Sequence, residues 1–277
     1  MSYVRRLAKY LDSRLTPTRR SRRLPGIPGR VHFNDTMLFD ESESSVTLYM
    51  RAANSAVEVI ERILDQQGTS FESVGSLLDF GCGHGRVLRL LSQKVPPERI
   101  TACDVDAVGV RFCAAEFGVQ PLVSSWDLAQ IQLDTYDVIW SGSVFTHLDA
   151  DGGDILLGKL ASALEPGGLL IFSMHGDYSL GGLEDLYEKI YADEAEDIRR
   201  EVAETGFSFR AYDERFGTFP GTYGMSWHTV GYLEDRIRKL SNDALELVTH
   251  EPQGWDLHHD VVAFRRRDRV ETSHVEP

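Results

Sequence analysis

Leu77-Leu78-Asp79-Phe80-Gly81-Cys82-Gly83-His84-Gly85-Arg86-Val87 reads as a buried strand entering a glycine turn that opens a helix. Leu77, Leu78 and Phe80 are strand-type apolar residues around one carboxylate, and Val87, Leu88, Leu90 and Leu91 then recur at helical spacing. Gly81 and Gly83 have no Cβ to hold a ligand off the backbone, and they tolerate the positive φ that a tight strand-to-helix turn demands. The N–H groups of the first helical turn are expected to face the same crevice, where they suit a polar or anionic ligand.

A dinucleotide-binding turn follows G-x-G-x-x-G, its third glycine letting helix and strand pack closely. Arg86 takes that third position, so the fingerprint fails. Asp79 instead precedes Gly81 by two positions, and Gly85 falls one residue early. In this the stretch resembles motif I of the class I S-adenosylmethionine-dependent methyltransferases. The resemblance implies that Gly81, Cys82 and Gly83 pass under the methionine half of S-adenosyl-L-methionine, with Asp79 near its sulfonium and amino group. A glycine turn that holds no ligand is the plain alternative.

Further segments follow in the order that the resemblance requires. Ile100 to Asp106 is a second short apolar strand ending in carboxylates, after the Pro96-Pro97 break. An acid roughly 20 residues beyond the glycines suits a ribose diol, since a carboxylate accepts two hydroxyl hydrogen bonds. Asp104 is the candidate, with Val105 beside it, whereas Asp106 is placed to cap the next helix. Pro121-Leu122-Val123 leads into Ser124-Ser125-Trp126-Asp127, which in the family borders the adenine. Asp127 would take the exocyclic amine and Trp126 the ring face, unless the segment is a simple loop. Tyr136 to Trp140 enters Ser141-Gly142-Ser143-Val144-Phe145-Thr146-His147-Leu148, where the likeness is strongest and Ser141 joins the cofactor set. The helix ending at Leu164, the Glu165-Pro166-Gly167-Gly168 stop and the strand Leu169–Ser173 match the family's approach to its fifth strand. A last strand pair, Leu245–Val248 and Val261–Phe264, follows a helix over Leu233–Leu240.

The expected fold is therefore α/β: a Rossmann-like, doubly wound, seven-stranded sheet, mostly parallel with an antiparallel last strand. A cap insertion between strands five and six covers residues 176–228. Residues 1–30 are expected to be a basic N-terminal arm and linker, 31–270 the methyltransferase domain and 271–277 a polar tail.

Charge narrows the partners. Of the formal net charge of −14, residues 1 to 30 carry nine Lys or Arg and one Asp, so the rest of the chain is far more acidic than the total. An acidic body repels phosphate backbones, which argues against nucleic acid as acceptor. Val4, Leu7, Leu11 and Leu15 line one face of a short basic amphipathic helix. It suits a loosely docked arm, a contact with an anionic membrane or acidic partner, or a presequence. Cys82, Cys103 and Cys113 show no C-x-x-C pairing and read as reduced, buried thiols of a cytoplasmic enzyme. No apolar run reaches the length of a membrane span, and no cluster has zinc spacing, so no metal is expected. The sequence leaves the oligomeric state open.

The acceptor pocket must come from outside the nucleotide core. The loop His32 to Phe39, with Phe33, is one candidate, as a lid or as packing for the helix that follows. The other is the long excursion from Gly176 to His228, with a charged helix over Glu184–Glu204 and an aromatic, glycine-rich stretch through Tyr223-Gly224-Met225-Ser226-Trp227-His228. Tyr223 and Trp227 are its candidate pocket walls, unless it is a satellite cluster at the sheet edge. Removing a proton from a hydroxyl acceptor needs a base with a pKa near neutrality. His147, His175 and His228 are the candidates; the carboxyl ends of parallel strands border the ligand crevice, which favours His147 and His175, with His175 foremost as base or acceptor ligand. The chain also resembles a group of bacterial methyltransferases found beside glycosyltransferases, which implies a sugar, glycan or secondary-metabolite acceptor. A protein side-chain methyltransferase and a non-catalytic binding module that keeps the fold are the alternatives.

Overall fold

The computed structural model describes residues 20–185, 191–212 and 220–268. The basic helix expected over residues 4–15, the aromatic pair Phe216 and Phe219 and the tail 271–277 lie outside the described residues.

A seven-stranded sheet organises the chain. Two short strands, β1 (Ser21–Arg23) and β2 (Arg30–His32), precede it as an antiparallel pair. The sheet strands are β3 (Leu77–Phe80), β4 (Ile100–Asp104), β5 (Gln120–Val123), β6 (Tyr136–Ser141), β7 (Leu164–Met174), β10 (Leu245–Trp255) and β11 (His259–Arg266). Their spatial order is β10-β11-β7-β6-β3-β4-β5, parallel from β7 to β5, with β11 antiparallel to both its neighbours. The fold is thus the Rossmann-like arrangement expected, and its last strand is the antiparallel one.

Helices close both faces because the strands are apolar on both sides. Leu77, Val138, Ile171 and Ala263 meet α1 (Glu43–Gln66), α2 (Leu88–Lys94) and α3 (Ala107–Phe117). The alternate residues Leu78, Ile139, Phe172 and Phe264 meet α4 (Ala150–Ser162) and α7 (Val230–Leu240). Asp106 caps α3, its side chain accepting the Val108 N–H.

Between β7 and β10 the chain builds a cap of α5 (Asp177–Gly181), α6 (Ala195–Thr205) and the hairpin β8 (Phe207–Ala211) and β9 (Gly224–His228). The charged helix begins at Ala195 rather than Glu184, since residues 182–185 are turn and a 3-10 turn, Ala192–Glu194, precedes it. The cap has its own apolar cluster, in which Leu183, Tyr191, Ile198, Val202 and Trp227 are buried.

Residues 20–30 are not the linker expected. Arg89, buried in α2, donates to the Pro28 and Arg30 carbonyls and to the Tyr49 hydroxyl, which in turn donates to Asp35. A guanidinium this buried needs acceptors, and the early segment supplies them. The folded body therefore includes β1 and β2.

Candidate functional site

A cavity of about 450 Å³ opens at the carboxyl ends of β3, β4 and β6, the edge where parallel α/β sheets bind ligands. Its floor is the glycine turn. Gly81 (φ +90°) presses so closely on Val144 that a Cβ would lie 2.4 Å from the Val144 Cγ2. Gly83 (φ +52°) differs, because a Cβ there would meet nothing within 4 Å and would project into open space. The cradle is the turn itself and not the helix N-terminus, since α2 begins only at Leu88 and the Gly83 N–H is already donated to Asp104 Oδ2 at 2.7 Å.

Asp79, the last residue but one of β3, lies beside this turn, buried, with Oδ2 lacking a hydrogen-bond partner among the described residues. Burial, with the Asp104 carboxylate nearby, raises its pKa to about 7. Such a carboxyl is poised to ionise when a cation or donor arrives. Asp104 also accepts the Asp106 N–H on Oδ1, which fixes the carboxylate while leaving acceptor capacity on both oxygens. Burial raises its pKa too. Val105, Trp126 and Asp127 continue the wall, with Trp126 half exposed and set edge-on to Tyr223.

Of the residues singled out from the sequence, Asp79, Gly81, Cys82, Gly83, Asp104, Val105, Asp127, His147 and Tyr223 meet on this one cavity. Ser141, Phe33, Trp227, His175 and His228 do not line it. Ser141 is buried within β6 with its hydroxyl unpartnered among the described residues. Phe33 turns outward, 51% exposed, under the Arg22 guanidinium; Asp35 and Met37 of the same loop line the cavity instead. Trp227 packs in the cap cluster and not, as expected, on a pocket wall. His228 is buried against Phe207 and Tyr232, which lowers its pKa to about 3. His175, 2% exposed, lies behind the wall, with Nδ1 facing the Ser226 carbonyl at 3.0 Å.

His147 is differently placed. Its Nδ1 faces the Gly224 carbonyl at 2.8 Å, and since a carbonyl only accepts, the proton sits on Nδ1. The Nε2 lone pair is left beside the Ser143 hydroxyl, 3.5 Å away. Burial lowers the pKa of the ring, so it is neutral at pH 7. Tyr223 stacks on it at 5.2 Å. Ser143 itself, in the left-handed region at φ 56°, donates its N–H to the Ser173 hydroxyl; strain of this kind in a non-glycine residue gathers at functional sites.

Sequence reasoning missed the wall opposite Asp104. Arg86 reaches the cavity with its guanidinium 5.4 Å from the Trp255 ring, and Trp140 lies edge-on to Trp255. Arg86 entered the sequence reading only as a failed glycine, and Trp255 reaches the site only through the pairing of β10 with β11. No helix among the described residues is long and apolar enough to cross a membrane, and the three cysteines are buried and free.

The family model for a methyltransferase domain matches residues 78–170. The chain is 29% identical over 128 residues to a malonyl-[acyl-carrier protein] O-methyltransferase of Acetivibrio thermocellus, covering 46% of this chain and 44% of that protein. A ribosomal RNA small subunit methyltransferase C of Pseudomonas entomophila is 33% identical over 100 residues, 34% of this chain and 30% of that one. The chain thus spans about half the length, or less, of these curated relatives. Among solved structures, the 1,6-didemethyltoxoflavin-N1-methyltransferase of Burkholderia thailandensis, with bound 1,6-didemethyltoxoflavin and S-adenosylhomocysteine, superposes with a TM-score of 0.52 at 15% identity, over 79% of this chain and 80% of that one.

Proposed function

We propose that the chain, whose residues 78–170 match the family model for a methyltransferase domain, is a class I S-adenosylmethionine-dependent methyltransferase that moves a methyl group from S-adenosyl-L-methionine to a hydroxyl or amine of a small-molecule acceptor, of the sugar, glycan or secondary-metabolite class. The buried Asp79 oxygen, without a hydrogen-bond partner among the described residues and beside an open Gly83, carries the reading. A cationic ligand lying on the turn would satisfy that oxygen and fill the space that a side chain at Gly83 would take.

Asp79, Gly81, Cys82 and Gly83 would hold the methionine half, Asp104 and Val105 the ribose, and Asp127 with Trp126 the adenine. When bound, the cofactor supplies an electrophilic methyl on a sulfonium, open to in-line displacement. What remains to the protein is alignment and exclusion of water. His147 is the base that this geometry favours over His175 and His228, because it alone of the three lines the cavity and its Nδ1 is taken by the Gly224 carbonyl. Tyr223 walls the acceptor side. Arg86 brings a cation into an otherwise acidic cavity, where a carboxylate of cofactor or acceptor fits. The relative named for malonyl-[acyl-carrier protein] adds carboxyl acceptors, free or carried on a protein, to those worth screening. The basic arm, residues 1–19, remains a candidate contact for an anionic surface, and the cytoplasm the compartment that three reduced thiols suit.

Calorimetry with S-adenosyl-L-methionine tests the binding half. Saturable binding is expected, lost on Gly83→Trp and weakened on Asp104→Ala by about 1.5–3 kcal/mol, the range for hydrogen bonds to a charged group. A chain that ignores this compound and takes a nicotinamide or flavin nucleotide instead refutes the proposal. Turnover of labelled donor against sugar, phenol, carboxylate and peptide pools then finds the acceptor class.

A further inference from the structure

We propose that His175, His258 and His259 form a site for a divalent transition-metal ion of the zinc class, behind the cavity wall and independent of the methyl-transfer reading. The topology assembles it. β11 pairs antiparallel with β7, Asp260 opposite Met174, so the turn that carries His258 and His259 is folded back on the residue that ends β7. One ring nitrogen from each histidine then lies within 4.8 Å of the other two. An ion with Zn–N bonds of about 2.0–2.1 Å sets tetrahedral ligands about 3.4 Å apart, so the rings must close in by up to about 1.4 Å on binding.

Two of the rings are already held from behind. His175 Nδ1 donates to the Ser226 carbonyl, which puts the ligating lone pair on Nε2. His259 Nδ1 lies 3.2 Å from the Ser173 hydroxyl. Such partners on the far nitrogen are the usual support of metal-bound imidazoles. Burial and the mutual proximity of the rings keep His175 and His259 in the neutral, ligating form, and burial does the same for His258. An all-nitrogen set suits zinc, cobalt or nickel rather than magnesium or calcium. Asp256 and Leu257 both occupy the left-handed region, at φ 54° and 57°, immediately before the pair. They are the two central residues of the tight hairpin turn closed by the His258 N–H on the Trp255 carbonyl, which demands positive φ at both and sets His258 and His259 directly after it. Three protein ligands leave a fourth position for water.

The ion would act on position rather than chemistry. His259 touches Ser173, which accepts the N–H of cavity residue Ser143, and its ring lies 5.2 Å from that of Trp255 on the cavity wall. A bound metal would thus pin the end of β7 to the β10–β11 turn.

The test uses the untagged full chain, stripped with a chelator and titrated with cobalt(II), then zinc(II). One equivalent of cobalt with a visible d–d band, bleached by zinc, is expected, together with a zinc-dependent rise in Tm. His258→Ala, on a half-exposed turn, is expected to weaken uptake by about tenfold or more, since even outer-shell changes act on that scale. Absence of a d–d band in the wild-type chain at millimolar cobalt overturns the proposal, as does uptake unchanged in both His258→Ala and His259→Ala. Neither result bears on S-adenosyl-L-methionine binding, so the two readings fail separately.

Discussion

Asp79 is the residue on which the cavity's electrostatics turn. Its pKa, raised to about 7 by burial and by Asp104, lies above the usual carboxylate value of about 3.9. The folded chain therefore holds a proton that the unfolded chain releases. The stability this contributes is fully present below about pH 4 and is lost as pH rises through about 7. A cationic ligand reverses the preference. Affinity for S-adenosyl-L-methionine is expected to climb from about pH 5 to about pH 7 and then flatten, with proton release on binding measurable by calorimetry in buffers of different ionisation enthalpy. Asp79→Asn should flatten the profile; a slope that survives it assigns the titration elsewhere. His147 makes a separate prediction. Its replacement by Ala is expected to lower kcat on a hydroxyl acceptor by about 10²–10⁴ with the cofactor Kd unchanged, whereas a loss confined to KM would leave it a binding residue.

Among the elements, α2 ties the cavity to the start of the folded chain. Arg89→Leu removes the donor to the Pro28 and Arg30 carbonyls, at about 1–3 kcal/mol for each group left unpaired, while the Tyr49 hydroxyl keeps its bond to Asp35. Urea unfolding is expected to show a loss of at least about 2 kcal/mol, with faster proteolysis within residues 20–40. Four of the parallel strands were legible in the sequence because each is a short apolar run ended or followed by a carboxylate, glycine or serine, as Leu77–Phe80 and Tyr136–Ser141 show, whereas β7 runs eleven residues, from Leu164 through the expected Glu165–Gly168 stop to Met174. The motif I residues could be read for the same reason, since three of them are neighbours in the chain. Asp35 and Trp255 could not, because they reach the cavity from the loop after β2 and from the end of β10, and although Arg86 stands in the motif I turn itself, spacing does not tell which way its side chain runs. Trp227 misled for a related cause: an aromatic residue in a long insertion fits a cluster inside the cap as well as a pocket, and only the pairing of β8 with β9 decides which. The helix expected from Glu184 shows that charge periodicity does not mark a start. Ala195 begins it, and Gly206 at φ +80° ends it.

The whole chain carries a net −14. Over an acidic surface a polyanion is repelled at physiological salt, although one group of relatives is named for ribosomal RNA. For protein truncated before Arg20, anisotropy of a labelled RNA strand is expected to stay flat; a saturable rise would return RNA to the acceptors under test.

The seam between the cap and the loop after β6 is unusually continuous. Ser226 Oγ donates to the Phe145 carbonyl, His147 to Gly224, and Asp149 N–H to Thr222, with a bridge between Leu148 and Tyr223. The roof over the acceptor and the group that would deprotonate it are in effect one rigid piece. A displacement of the cap would therefore carry the His147 ring with it.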